Sequence, residues 1–172
     1  MEQNMRWKLE ITQGDCGICD LCALACSNEK FGVMNPHMSA IKVNHRSRNT
    51  SGRVQGGQGI LPCWHCNDPP CLPACPYNAM SIDEHNVVKI HFENTPDGYE
   101  SCTSCMKCVK ACEQMHGEAS IFISLEKDRP STTKSGREIN RYTLYKCDMC
   151  GGDPACAKIC PRDAIKFVKV KF

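Results

Sequence analysis

The sequence predicts an α+β fold: two tandem modules of short helices and small antiparallel hairpins, organised by cysteines and carrying loop insertions at the surface. Three observations lead there. The 172 residues contain 16 Cys. With these set aside, only about 32% of the chain is hydrophobic, too little for a large apolar core. The cysteines also recur in groups of four, the mark of an internal repeat.

The groups are Cys16, Cys19, Cys22, Cys26; Cys63, Cys66, Cys71, Cys75; Cys102, Cys105, Cys108, Cys112; and Cys147, Cys150, Cys156, Cys160. None is left over. The first and third read C-x2-C-x2-C-x3-C, the bacterial ferredoxin run that supplies thiolates to cubane iron-sulfur clusters. The second and fourth lengthen the middle gap to C-x4-C and C-x5-C and end in Cys-Pro, at Pro76 and Pro161. Four thiolates per cluster make four [4Fe-4S] clusters, and in two-cluster ferredoxins the fourth Cys of a run ligates the other cluster. The motifs are therefore expected to work in pairs.

Other cysteine chemistries fit less well. A disulfide framework belongs to exported chains, and MEQNMRWKLEI has no apolar signal core, twin arginine or small-residue cleavage site. Structural zinc uses two C-x2-C pairs across a longer spacer, whereas these triplets are denser. A radical-generating C-x3-C-x2-C is absent, since no C-x3-C segment is followed by a third thiol.

Such a chain is expected to fold around its clusters, so that binding free energy becomes folding free energy. The formal charge of +2 becomes about −6 once each oxidised core with four thiolates contributes a net −2. The 21 Lys and Arg then read as counter-charge, not as a nucleic-acid footprint. No run approaches 18 apolar residues, so no membrane span is expected, and with no export signal either the site of action reads as the cytoplasm, in an anaerobic host or within a well-shielded complex.

The elements follow in order. RWKLEI is a strand before Cys16, and RYTLY its counterpart before Cys147. Met80 and Ile82 alternate with polar residues, Asp83 to Asn86 supply a turn, and Val87 to Ile90 is β-branched, which makes a hairpin. Ile165, Phe167, Val168 and Val170 form a terminal edge strand with Lys166, Lys169 and Lys171 facing water. Each fourth cysteine is expected on a short helix. The polar, Gly- and Ser-rich stretches on either side of the central motifs read as surface loops or hairpins. In the first of them Arg46, Arg48 and Arg53 read as a solvated basic loop, with docking of an acidic partner as the sharper alternative. Asn49 matches a sequon without meaning inside a cell, and Gly56, Gly57 and Gly59 lack the Lys-Ser/Thr of a phosphate loop.

CWHCNDPPCLPACP followed by NAM and a hairpin, with YKCDMC and CAKICPRDAI, resembles the four-cluster iron-sulfur subunits of molybdenum and tungsten pterin oxidoreductases. The likeness covers nearly the whole chain. It is greatest to the small electron-transfer subunit of the bacterial tungsten aldehyde oxidoreductase family, which includes aldehyde-oxidising complexes and ATP-independent benzoyl-coenzyme A reductases.

The resemblance implies that motifs one and four share an outer module, residues 1–26 with 147–172, and motifs two and three an inner one, 63–112. Residues 27–62 and 113–146 are then insertions. It also implies four ligand sets: Cys16, Cys19, Cys22 with Cys160; Cys147, Cys150, Cys156 with Cys26; Cys63, Cys66, Cys71 with Cys112; and Cys102, Cys105, Cys108 with Cys75. Spacing alone is compatible with pairing motifs one and two instead. Ser27 and Glu113 stand where some relatives carry Pro, a change that removes no ligand.

Around the sites, Trp64 reads as a cluster shield, a partner contact or a packed ring. His65 reads as a hydrogen-bond donor tuning a cluster, not a ligand. Pro69, Pro70, Pro73 and Pro76 remove amide donors, which keeps a potential low. Lys107 and Lys146, each next to a ligating cysteine, read as solvated lysines that alternatively raise a potential or attract a partner.

No nucleophile, base or substrate pocket is visible, so the expectation is a non-catalytic subunit. It relays single electrons between a large tungsten or molybdenum pterin subunit and a flavin subunit or ferredoxin. The alternatives are the iron-sulfur subunit of a formate dehydrogenase or hydrogenase complex and a free polyferredoxin. If the end clusters lie at the surface, copies could also stack and pass electrons between them.

Overall fold

The computed structural model describes residues 5–45, 59–132 and 138–171, and of residues 124–142 the backbone alone. Arg46, Arg48, Asn49, Arg53, Gly56 and Gly57 lie outside the described residues. The chain is a mixture of short helices and strands, built as four separate two-stranded antiparallel sheets.

Strand β1 (Met5–Ile11) pairs with β8 (Ile165–Lys171) in an unbroken register from Met5 opposite Lys171 to Ile11 opposite Ile165. Leu9 and Ile165 face inward, while Lys166, Lys169 and Lys171 are exposed, as the alternation predicts. β2 (Ile41–Val43) pairs with β3 (Ile60–Pro62), and β4 (Met80–Ile82) with β5 (Val88–Ile90). The latter is the hairpin read from MSIDEHNVVKI. Its turn is fixed by Asp83, whose Oδ1 accepts from the amides of His85 (3.0 Å) and Val87 (2.9 Å) and whose Oδ2 meets Lys89 Nζ at 3.1 Å.

The polar stretch before the fourth motif is a long hairpin, β6 (Phe122–Thr132) with β7 (Glu138–Tyr145), whose register shifts between Glu126 and Ser131. The strand expected at RYTLY is the end of β7.

Helices carry the fourth cysteine only in part. α1 (Leu21–Phe31) holds Cys22 and Cys26, and α2 (Lys107–His116) holds Cys108 and Cys112. Cys160 caps the C-terminus of the short α3 (Ala155–Ile159). The second motif has turns instead: the Leu72 amide donates to Pro69 O and that of Cys75 to Leu72 O, both at 3.1 Å. Pro69, Pro70 and Pro73 explain the difference, because a helix there would lose amide donors and meet ring clashes.

Two apolar clusters form around the cysteines. Leu9, Ile18, Ala23, Ile41, Ile60 and Ile165 gather with Cys16, Cys22, Cys26, Cys147 and Cys156. Met80, Val88, Val109, Ile121 and Leu144 gather with Cys71, Cys108 and Cys112. Polar side chains tie these parts together. Gln13 Nε2 donates to Ile60 O at 2.8 Å while its Oε1 accepts from Gly59 and Ile60. Asn86 Nδ2 donates to His65 O at 2.8 Å and Cys66 O at 3.2 Å, so the hairpin turn holds the second motif loop. Trp7 stacks on His85 with ring centroids 4.0 Å apart and meets Phe167 edge-on.

Candidate metal-cluster sites

The β1–β8 register sets the first site. With Ile11 opposite Ile165, the loop entering Cys16 and the loop leaving Cys160 emerge side by side, joined by the Thr12 amide on Ala164 O at 2.9 Å. Cys16, Cys19, Cys22 and Cys160 consequently line one cavity of about 340 Å³. Cys75, Cys102, Cys105 and Cys108 line another of about 320 Å³.

The remaining thiols fall between. Burial pushes Cys156 up to about 12, with Cys26 and Cys150 as the neighbouring thiols that add to the rise. Cys71, Cys66 and Cys112 are each raised by burial first and all have Cys63 beside them. Contacts across groups order them. Cys22, pushed up to about 12 by burial, has Cys156 as its foremost neighbouring thiol; Cys147 has Cys63; and Cys108, also at about 12, has Cys71 within reach. These neighbours link the first motif to the fourth, the fourth to the second and the second to the third. Cys19 and Cys105 are exposed.

The loops share a backbone device that spacing did not reveal. The residue two places after the first cysteine is left-handed in all four motifs: Ile18 (φ 51°), His65 (φ 43°), Ser104 (φ 54°) and Met149 (φ 58°). None is glycine, and for a β-branched residue such as Ile18 this conformation is strained. Alternation of right- and left-handed residues turns successive amides inward, a concavity suited to an anion. The Ile18 amide donates to Cys16 Sγ at 3.3 Å and that of Met149 to Cys147 Sγ at 3.5 Å. Of the fourth cysteines, Cys26, Cys75 and Cys112 accept from the amides of Ala40 (3.3 Å), Ala79 (3.4 Å) and Ser120 (3.4 Å).

These residues fit a polynuclear cluster. Among the described residues no three His, Cys, Asp or Glu side chains converge to hold a single metal ion. The thiols border volumes instead, as a cube with iron at several corners requires. Around Cys63 also stand groups that call for an anion. His65 is 2% exposed, with both ring nitrogens buried and Cys63 as the thiol its ring acts on. Lys146 is buried as well, at 6% exposure, which corrects its reading as a solvated lysine. Cys63 feels both: burial raises its thiol, but Lys146 and His65 together outweigh that and hold it down to about 6. Lys107 is exposed, as expected.

Trp64 is half-buried, tilted at 30° over His116 with centroids 5.9 Å apart, and His116 Nε2 lies 3.1 Å from Cys66 Sγ. Gly152, in the long gap of the fourth motif, has φ +97°, and a Cβ there would sit 2.8 Å from the Trp7 ring. Gly152→Ala is therefore expected to cost roughly 2 kcal/mol or more, from left-handed strain of about 1–2 kcal/mol plus the clash. A lower thermal midpoint of the iron-loaded protein, with a change in Trp7 fluorescence, would check this.

Cysteine runs, cavities and inward amides define a ferredoxin-like iron-sulfur protein. Residues 62–115, spanning the second and third motifs, match the family described as a 4Fe-4S dicluster domain. The chain is 32% identical over 174 residues to the polyferredoxin-like subunit of the aliphatic sulfonate oxidoreductase of Pyrococcus furiosus, covering 96% of this chain and 79% of that one. It belongs to that family of iron-sulfur subunits of oxidoreductases.

Two further relatives show its range. The thiosulfate reductase electron transfer subunit PhsB of Salmonella typhi is 27% identical over 161 residues, 88% of this chain and 70% of that one. The β subunit of the NADH-dependent phenylglyoxylate dehydrogenase of Aromatoleum evansii is 28% identical over 153 residues, 89% of this chain but only 28% of that one. No helix among the described residues is long and apolar enough to cross a membrane.

Proposed function

We propose that the chain is a non-catalytic, cytoplasmic relay subunit holding four [4Fe-4S] clusters in a row. What supports this is the set of neighbouring thiols that link the four groups, Cys22 with Cys156, Cys147 with Cys63 and Cys108 with Cys71, together with the exposure of Cys19 and Cys105. The ligand sets, in row order, are Cys16, Cys19, Cys22, Cys160; Cys147, Cys150, Cys156, Cys26; Cys63, Cys66, Cys71, Cys112; and Cys102, Cys105, Cys108, Cys75. The first two belong to an outer ferredoxin-like module and the last two to an inner one. The two apolar clusters support that division: the buried cysteines of one come from motifs one and four and those of the other from motifs two and three, with Cys63 packed against the first.

When bound, each cluster supplies a one-electron centre whose potential depends on charge, hydrogen bonds to sulfur and exposure. The protein's part is placement. Buried Cys22, Cys108 and Cys156 keep water from the inner faces, the amides of Ile18, Ala40, Ala79, Ser120 and Met149 stabilise negative charge on sulfur, and the exposed ends offer entry and exit.

The partner at one end is a large tungsten or molybdenum pterin subunit of the aldehyde oxidoreductase family, and at the other a flavin subunit or ferredoxin. The cysteine signature supports the first, and the relatives' names support service to oxidoreductases of differing substrate. Anaerobic purification of the native complex with metal counting by mass spectrometry tests it. About sixteen iron atoms on this chain together with tungsten are expected; iron without either heavy metal would overturn the pterin partner.

A further inference from the structure

The two inner thiol sets lie in different electrostatic surroundings. Beside Cys147, Cys150 and Cys26 the nearest lysine, Lys30, is ion-paired: its Nζ lies 2.7 Å from Asp148 Oδ2. Its charge is cancelled on the spot. Beside Cys63, Cys66, Cys71 and Cys112 stands Lys146, which acts on all four of these thiols. Lys146 is buried, and among the described residues no carboxylate pairs with it.

The Lys146 ammonium makes no ion pair among the described residues, and the negative charge it faces is that of these thiols, Cys63 first, and of the group they would hold. Sequence placement explains the arrangement: Lys146 directly follows β7, so the strand that ends at Tyr145 delivers Lys146 to one set and Cys147 to the next.

We propose that Lys146 is a fixed counter-charge that makes the centre held by Cys63, Cys66, Cys71 and Cys112 easier to reduce than its inner neighbour held by Cys147, Cys150, Cys156 and Cys26. This rests on the four-cluster reading above. Lys146 gives up neither proton nor electron; it lowers the cost of one added negative charge, while Lys30 with Asp148 presents no net charge to the other set. Electrons on the row therefore dwell on the inner module's side of the junction between modules. Lys146 is a positioning residue for charge and touches no substrate.

The experiment is a potentiometric titration followed by electron paramagnetic resonance on the intact complex, comparing wild type with Lys146→Met and Lys146→Arg. Met keeps the volume and removes the charge; Arg keeps the charge. The expected result is that Met moves one of the four reduction steps to lower potential, leaves the others in place, and that Arg behaves as wild type. Four unmoved steps with iron retained would overturn the proposal, as would an equal shift of all four. If Met instead sheds about a quarter of the iron, retention by Arg supports a charge requirement, and equal loss by Arg assigns Lys146 to packing and overturns it. Wild-type iron far below sixteen atoms would mark failure of the four-cluster reading itself, separately from Lys146.

Discussion

Anaerobic removal of iron is expected to unfold the protein, with loss of the β1–β8 pairing and exposure of both apolar clusters. Eight of the cysteines are buried and stand within those clusters. Without iron, the cavities lined by cysteine would have to collapse or fill with water, and the apolar side chains gathered around the thiols would lose what they pack against. The strained left-handed turns at Ile18, His65, Ser104 and Met149 would lose the anion that their amides surround. Far-UV circular dichroism and hydrogen exchange on the chelated protein check this; native-like spectra with protected β1 amides would show a core independent of the metal. Thiol chemistry sets the direction of the pH effect. The exposed cysteines of the iron-free chain, with an ordinary thiol pKa of about 8.5, must lose their protons to bind iron. Reconstitution should therefore strengthen as pH rises from about 6 to 8.5 and fail on acidification.

Much of this was legible in the sequence because thiolate spacing is a local property. The four motifs, the β4–β5 hairpin and the alternating pattern of β8 each depend on residues a few positions apart. What escaped depends on distance or on tertiary pull. The pairing of β1 with β8 joins opposite ends of the sequence through a register that no local pattern encodes. The left-handed residues of the motifs carry no glycine to announce them; binding geometry overrides the preference of Ile18. Lys146 looked solvated because lysines usually are, yet the strand before it delivers it into the interior. The helix expected in the second motif failed for a reason that was visible, the prolines at 69, 70 and 73.

Replacing Cys160 by Ala is expected to remove about four of sixteen iron atoms and to free thiols more than 130 residues away. Under the proposed sets, Cys160 completes the site of Cys16, Cys19 and Cys22, with which it lines one cavity. Losing it leaves three thiolates on a loop tied to that end of the chain by the β1–β8 ladder and by the packing of α1 against the fourth motif. Anaerobic alkylation followed by peptide mass spectrometry should then label Cys16, Cys19 and Cys22 and leave Cys147, Cys150 and Cys156 protected. Cys26→Ala makes the reciprocal prediction: Cys147, Cys150 and Cys156 become reactive, although Cys26 shares α1 with Cys22. The pair of variants separates cross-ligation from simple proximity in sequence. If motif one were paired with motif two, Cys26 would complete the site of Cys63, Cys66 and Cys71, and Cys160 that of Cys102, Cys105 and Cys108. Labelling at those positions would overturn the proposed sets and with them the order of the row. The reach of the effect is the physical point, since a ligand supplied from the far end of the chain makes each centre a crosslink between segments distant in sequence.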